Sequence, residues 1–170
     1  MRHATKILKG EFTMSAEEVK IVKLEPIRVA SFLGFGSNPE DLAWEKLIAW
    51  AKPKGLLVDL EKHRLFGFNN PNPSPGSPNY GYEVWIEIDP DMQVKDEVKT
   101  FTFDGGLYAV ARCIVPKEQF DVIGEAWNKL VTWCEASQYK HGNHQCLEKS
   151  VPLDLPDTEF VLDLYMPIIE

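Results

Sequence analysis

Two stretches of this chain match each other at a fixed distance, and that repetition restricts the fold more than any other feature. Glu83-Val84-Trp85-Ile86-Glu87-Ile88 aligns with Asp163-Leu164-Tyr165-Met166-Pro167-Ile168, equivalent positions standing 80 residues apart throughout. Pro39 and Pro116, each placed to open a helix, are separated by a similar length. The chain has 170 residues, one domain's worth by the usual span of roughly 100 to 200. The two copies are therefore halves of one domain. The pattern predicts an α+β fold of tandem duplicated β-α-β-β modules, about residues 19–90 and 100–170, related by a pseudo-twofold around a central cleft.

Local signals fill in each module. VKIVKLEPIRVASFL, over residues 19–33, is rich in β-branched residues and reads as extended, with a bend at Pro26. Asn38 then offers a cap, Pro39 suits the first helical position, and Glu40 and Asp41 suit the positive end of the dipole. Trp44, Leu47, Ile48 and Ala51 give that helix an apolar face until Pro53 and Gly55 stop it. Strands are expected over residues 64–68 and 80–88, around the polar, proline-rich loop NNPNPSPGSPN. The second half predicts extended chain over 101–115 about a Gly105-Gly106 turn. It continues with a helix opened by Pro116 and faced by Phe120, Ile123, Trp127, Leu130 and Cys134, and closes with the strand FVLDLYMPII. Residues 1–13 are polar and basic and Met14 reads as a second start, so residues 1–18 are set aside as a tail.

Alternation in the closing strands sorts side chains between faces. Tyr82, Val84, Ile86 and Ile88 form the side expected to pack on the first helix, which leaves Glu83, Trp85 and Glu87 opposite. Leu162, Leu164, Met166 and Ile168 are the second core side, with Asp163 and Tyr165 opposite. Each module thus turns a carboxylate and an aromatic ring away from its own core. Glu83 has Arg28 or Arg112 as alternative partners.

Charge and cysteine content remove several function classes. Eighteen Lys and Arg against 26 Asp and Glu leave a formal charge of −8, which repels phosphate backbones and concentrates cations. Direct nucleic-acid binding is not expected. Cys113, Cys134 and Cys146 are too few and odd in number for a disulfide framework, so a cytoplasmic location is expected. No apolar run approaches the roughly 18 to 20 residues that span a bilayer, so no membrane partner is expected. His141, His144 and Cys146 lie close together, but a structural zinc site wants four ligands and neither His63 nor Cys134 stands at a recognisable spacing. No metal or other cofactor is expected.

RLFGFNNP leading to YGYEVWIEI, the GGLYAV strand, the helix with Trp127 and Trp133, Leu147-Glu148-Lys149 and the closing LDLYMPI together resemble a known family. In order and spacing they are similar to the effector-binding domain shared by AraC-type regulators, multidrug-sensing MerR-type regulators and GyrI-like proteins, over about residues 19–168. The resemblance implies an SHS2-like module pair around a cleft that binds hydrophobic, often cationic, compounds. Glu148 matches the family's pocket glutamate. Asp163 stands where many members have Glu, and Tyr165 matches the aromatic position in that strand, with Trp85 its counterpart in the first module. Glu83, Tyr108 and Trp127 complete the expected ligand-binding set. Those regulators carry a separate helix-turn-helix, which residues 1–18 cannot hold, so the resemblance is to a stand-alone member, among which are drug-binding proteins of mobile gene cassettes.

An organic cation leaving water needs a carboxylate and ring faces in compensation. Glu148 is accordingly expected to have a raised pKa through desolvation and acidic neighbours. The chain is expected to bind rather than to catalyse, since no G-x-S-x-G or comparable nucleophile arrangement occurs. The first alternative is a GyrI-like hydrolase of strained electrophiles, with Glu148 and Asp163 working on water. The second is a protein that sequesters a basic partner. The helix tryptophans Trp44, Trp50, Trp127 and Trp133 leave room for a homodimer or regulatory-partner face.

Overall fold

Glu25 and Pro26 form the whole connection between β1 (Val19–Leu24) and β2 (Ile27–Gly36). The computed structural model describes residues 18–95 and 97–170; the leader and Met14 lie outside them. After β2 come α1 (Pro39–Ala51), β3 (Leu65–Asn69), β4 (Tyr80–Glu87), β5 (Lys99–Phe103) and β6 (Gly106–Pro116). The chain continues through α2 (Asp121–Glu135), β7 (Lys140–His141), β8 (Leu147–Val151) and β9 (Thr158–Ile169). The strands form one antiparallel sheet in the order β1-β6-β9-β8-β3-β4-β2-β5, with β7 added to β9. Read inward from either edge the sequence of elements is alike: β6-β9-β8 from one, β2-β4-β3 from the other, with β8 and β3 meeting at the centre.

That order makes the sheet curl. β1 and β2 are six strand positions apart, about 29 Å across a flat sheet at the usual spacing of ~4.8 Å. The three Cα steps from Leu24 to Ile27 reach only about 11 Å. β5 and β6 pose the same demand through Asp104 and Gly105. Both links close only if the edges of the sheet bend toward one another. At the second link Gly105 takes φ +75°, and a Cβ there would meet the Leu24 carbonyl oxygen at 1.9 Å, so this position needs glycine on both counts.

Inside the curl lies an aromatic core that includes Phe66, Phe68, Trp85, Tyr108 and Tyr165, with Val29 and Leu147. Its rings meet edge to face, Phe68 to Trp85 at 4.9 Å, Trp85 to Phe101 at 5.3 Å and Tyr108 to Tyr165 at 5.4 Å between centroids. Outside, α1 covers Ala30, Tyr82, Val84, Ile86 and Ile88, and α2 covers Ala109, Ala111, Leu164, Met166 and Ile168. Alternation assigned the helix-facing sides of β4 and β9 as the structure has them.

Three local expectations are corrected. Pro116 does not open a helix: the β6–β9 ladder runs on through it, across a register shift, to Thr158. Glu118 then turns with φ 61°, and α2 begins at Asp121. Asn38 makes no side-chain cap; its amide bonds to Asp41 instead. Ile48 is exposed, because the buried stripe of α1 runs through Ala43, Leu47, Trp50 and Ala51. Leu147–Val151, which the sequence left unassigned, is a strand at the middle of the sheet. No helix among the described residues is long and apolar enough to cross a membrane.

Gly34 seats α1 on β2: a Cβ there would lie 2.2 Å from the Pro39 carbonyl oxygen and 2.8 Å from the Ala43 amide nitrogen. Neither backbone atom can step aside without moving the helix. Gly34→Ala is expected to lower stability by about 1 to 3 kcal/mol in urea denaturation; an unchanged midpoint would contradict that seating.

Candidate functional site

The two central strands share a ladder only two residue pairs long, Phe66 with Lys149 and Gly67 with Glu148. Beyond it they part, and the gap is a cavity of about 350 Å³. The end of β3 contributes Phe68 and Asn69, and the following loop Asn72. The approach to β8 contributes Gln145 and Cys146, β8 itself Glu148, and α2 Trp127.

Glu148 stands opposite Leu164 in β9, and Leu164 packs under α2. Its side chain is therefore on the helix-bearing face, between the two helices. Gly67 shapes this spot. A Cβ there would sit 2.2 Å from the Tyr82 hydroxyl oxygen, so its absence lets Tyr82 lie across β3. The Tyr82 hydroxyl donates to Glu148 Oε1 at 3.4 Å. Burial pushes the Glu148 carboxyl up from an ordinary 4.5 to about 7; hydrogen bonds from Trp127 and Tyr82 oppose the rise, and the field of Glu40 adds to it. Glu40 itself accepts from the Tyr80 hydroxyl at 2.8 and 2.9 Å. Burial first, then that bond, pushes Tyr80 up to about 12. A carboxyl poised near neutrality beside an indole can hold a proton or a cation.

The residues expected from the sequence fall into three places. Glu148 and Trp127 line the cavity. Trp85 (4% exposed), Tyr108 (0%) and Tyr165 (6%) are on the other face, inside the aromatic core. They stand behind the cavity: Phe68 packs on Trp85, and the Tyr108 hydroxyl donates to the Gln145 carbonyl at 2.7 Å. Glu83 is buried and accepts from Ser31 at 2.6 Å, Asn70 at 2.9 Å and Trp85 Nε1 at 3.0 Å. Burial pushes its carboxyl up, but those bonds and the Lys99 charge outweigh this and hold it below the usual value. The suggested pairing of Glu83 with Arg28 or Arg112 is corrected, since Arg28 donates to the carbonyls of Asp89, Pro90 and Met92. Arg112 instead grips Asp163, at 2.9 and 3.3 Å. Asp163, next to Leu164 in the strand, faces away from Glu148.

Sequence reasoning missed Tyr82, Phe68, Asn69, Asn72, Gln145 and Cys146 as parts of the site. Tyr82 was assigned to packing on α1, where it also belongs. Gly67, an isolated glycine in a strand, was the local signal that something crosses there. Among the described residues no group of three His, Cys, Asp or Glu side chains converges as a metal site. His144 instead bonds the Leu107 carbonyl at 2.7 Å and packs on Tyr108. Cys113, Cys134 and Cys146 are free thiols.

The family model described as a GyrI-like small-molecule-binding domain matches residues 17–169. The chain belongs to the GyrI-like family. No curated protein matches the sequence. Among solved structures, this GyrI-like domain is similar to two hydrolases from Listeria innocua. One is 10% identical with a TM-score of 0.61, the other 12% with 0.62, and each match covers 89% of this chain and 92% of the other. It is also similar to SAV2435 bound to tetraphenylphosphonium, at 13% identity and a TM-score of 0.51, covering 89% of this chain and 94% of that one. The first two correct one expectation: the same fold is found in hydrolases, so the view that this GyrI-like chain is not an enzyme does not stand.

The Glu148 carboxyl has a definite linkage to stability. Below about pH 4.5 it is protonated in folded and unfolded chains alike; between about 4.5 and 7 only the folded chain keeps the proton. Stability therefore falls as pH rises through that window and levels off above it. Glu148→Gln is expected to abolish this decline and to stabilise the protein at pH 8 by roughly 2 kcal/mol in urea denaturation. Parallel pH profiles for the two proteins would mean that the carboxylate is not desolvated.

Proposed function

We propose that the cavity between β3 and β8 binds hydrophobic organic cations, with Glu148 as counter-charge and Trp127 and Phe68 as ring walls. The carrying observation is a desolvated carboxyl, pushed up to about 7, at the edge of a ring-lined cavity. A cation entering there replaces a proton the site holds at neutral pH, and ring contacts compensate for part of its lost hydration. Trp85, Tyr108 and Tyr165 enter this reading as the ring stack behind Phe68, and Glu83 as an anchor for the loop beside the cavity. Asp163, engaged with Arg112, has no part in it. The strand order supports a further reading, that modules of about 19–90 and 100–170 are pseudo-twofold copies with the cavity at their junction. That a protein of similar fold is bound to tetraphenylphosphonium supports the ligand class.

The sign of the pH dependence follows. Ionised Glu148 attracts the cation and protonated Glu148 does not, so affinity rises as pH climbs through about 7 and is flat above about 8. Titration of Trp127 fluorescence with rhodamine 6G is expected to show a Kd about tenfold weaker at pH 6 than at pH 8. Glu148→Gln should bind weakly and equally at both. A wild-type affinity indifferent to pH would defeat this assignment.

Hydrolysis of a strained electrophile is the second reading, favoured by the same group: a carboxyl near pKa 7 can donate a proton to an opening ring and then accept one from water. Incubation with a cyclopropane-bearing electrophile should then give a ring-opened, hydrated product that disappears in Glu148→Gln. Product formation undiminished in that variant would exclude Glu148 as the proton carrier.

A further inference from the structure

The walls of the cavity are richer in amides than a site for a bare lipophilic cation requires. Asn69, Asn72 and Gln145 all border it. Among the described residues the Asn69 and Asn72 carboxamides have no protein partner. The Gln145 amide nitrogen donates to the Cys146 carbonyl at 3.0 Å, which leaves its side-chain oxygen free to accept. Three carbonyl oxygens thus accompany one carboxylate. The carboxamide NH2 groups can also donate, but a cationic head turns the oxygen end of each amide dipole toward itself. What meets it is a set of acceptors whose complement is a head that donates.

These amides stand on an anchored stretch of chain. The Asn70 amide donates to the Gly81 carbonyl at 2.9 Å, and the Gly81 amide to the Pro71 carbonyl at 3.0 Å. A Cβ on Gly81 would sit 1.8 Å from the Asn70 carbonyl oxygen, so the loop and β4 are pressed together there. The Asn70 side chain donates to buried Glu83 at 2.9 Å, and Glu83 is itself held by Ser31 and Trp85. Pro71 and Pro73 restrict φ on either side of Asn72. Asn69 and Asn72 flank this anchor, so their carboxamides are presented from a stiffened rim at little ordering cost on binding.

Resting on the cation-binding reading above, we infer that the site selects aromatic cations whose charged head carries several N–H donors, an amidinium, guanidinium or aminated heteroaromatic, over quaternary ammonium and phosphonium ions. A planar amidinium presents paired N–H groups to the Glu148 carboxylate in the bidentate manner of arginine and has further donors for the rim. A quaternary head has none and leaves those carbonyls facing alkyl groups. The cavity volume, about 350 Å³, is near the small end of the range of roughly 300 to 1,000 Å³ for ligand sites. That suits one flat ring system with a compact head. Because Asn69 and Asn72 are exposed at the rim, water compensates in part for a missing donor, and the discrimination is about tenfold rather than the thousands seen in closed sites. Glu83 acts here as a positioning residue, through Asn70.

The test compares two probes with the same aryl body, 2-naphthamidinium and 2-naphthyltrimethylammonium, by isothermal titration at pH 8, where Glu148 is ionised. The amidinium is expected to bind about tenfold more tightly. In Asn69→Ala/Asn72→Ala the amidinium should lose several-fold in affinity, keeping only the part of its advantage that comes from Glu148, and should lose clearly more than the ammonium ion does. Equal wild-type affinities, or an equal loss of both ligands in the double variant, would overturn the selectivity and leave the cation site standing. If neither probe binds, the cation reading itself falls and this inference with it.

Discussion

Two connections of two residues each govern this molecule. Glu25-Pro26 and Asp104-Gly105 join strands six positions apart in the sheet, a distance such short links reach only when the sheet bends back on itself. Curling creates an inside. Side chains that would face solvent on a flat antiparallel sheet with helices on one face are brought together there, and the chain supplies rings to fill the space. The strongest aromatic signals in the sequence are thereby used for cohesion.

The cavity arises where this cohesion stops. β3 and β8 come from different halves of the chain, and they hold together for only two residue pairs before diverging. A carboxylate placed at the last pair is covered by Tyr82 from one half and Trp127 from the other. It is therefore withdrawn from water with no cationic side chain among the described residues to neutralise it, unlike Asp163, which has Arg112, or Glu87, which has Arg64 at 2.6 Å. That contrast separates a carboxylate left available to a ligand from one held by the structure. Glu83 is a third case: buried but saturated with hydrogen bonds, it stays ionised and fixes a loop.

Much of the fold was legible because periodicity is local. Residues alternate along β4 and β9 whatever lies above them, so the sides under the helices could be assigned from sequence. The start of α2 could not, since Pro116 suits the first turn of a helix and the end of an edge-to-centre ladder equally well; pairing with β9 decided it. The rotation of α1 that exposes Ile48 and buries Trp50 was set by the packing against β2 and β4. For the site, Glu148 was legible only through resemblance, and Trp127 through its helical face. That Trp85 and Tyr165 point away from their helices was legible; the ring cluster they join was not, because an outward face becomes a core only once the sheet curls.

The sequence by itself determined the repeat, the strand faces, the two helices, the acidic surface and the presence of a carboxylate at position 148. Those properties follow from side-chain chemistry and from neighbours within a few residues. Only the tertiary structure decided that Glu148 and Trp85 lie on opposite faces, that Gly67 lets Tyr82 reach across to the carboxylate, and that a proline-rich loop sets its amides at the rim. Each of those depends on which strands become neighbours, and neighbours are chosen by closure of the whole sheet, a constraint no short window of sequence contains.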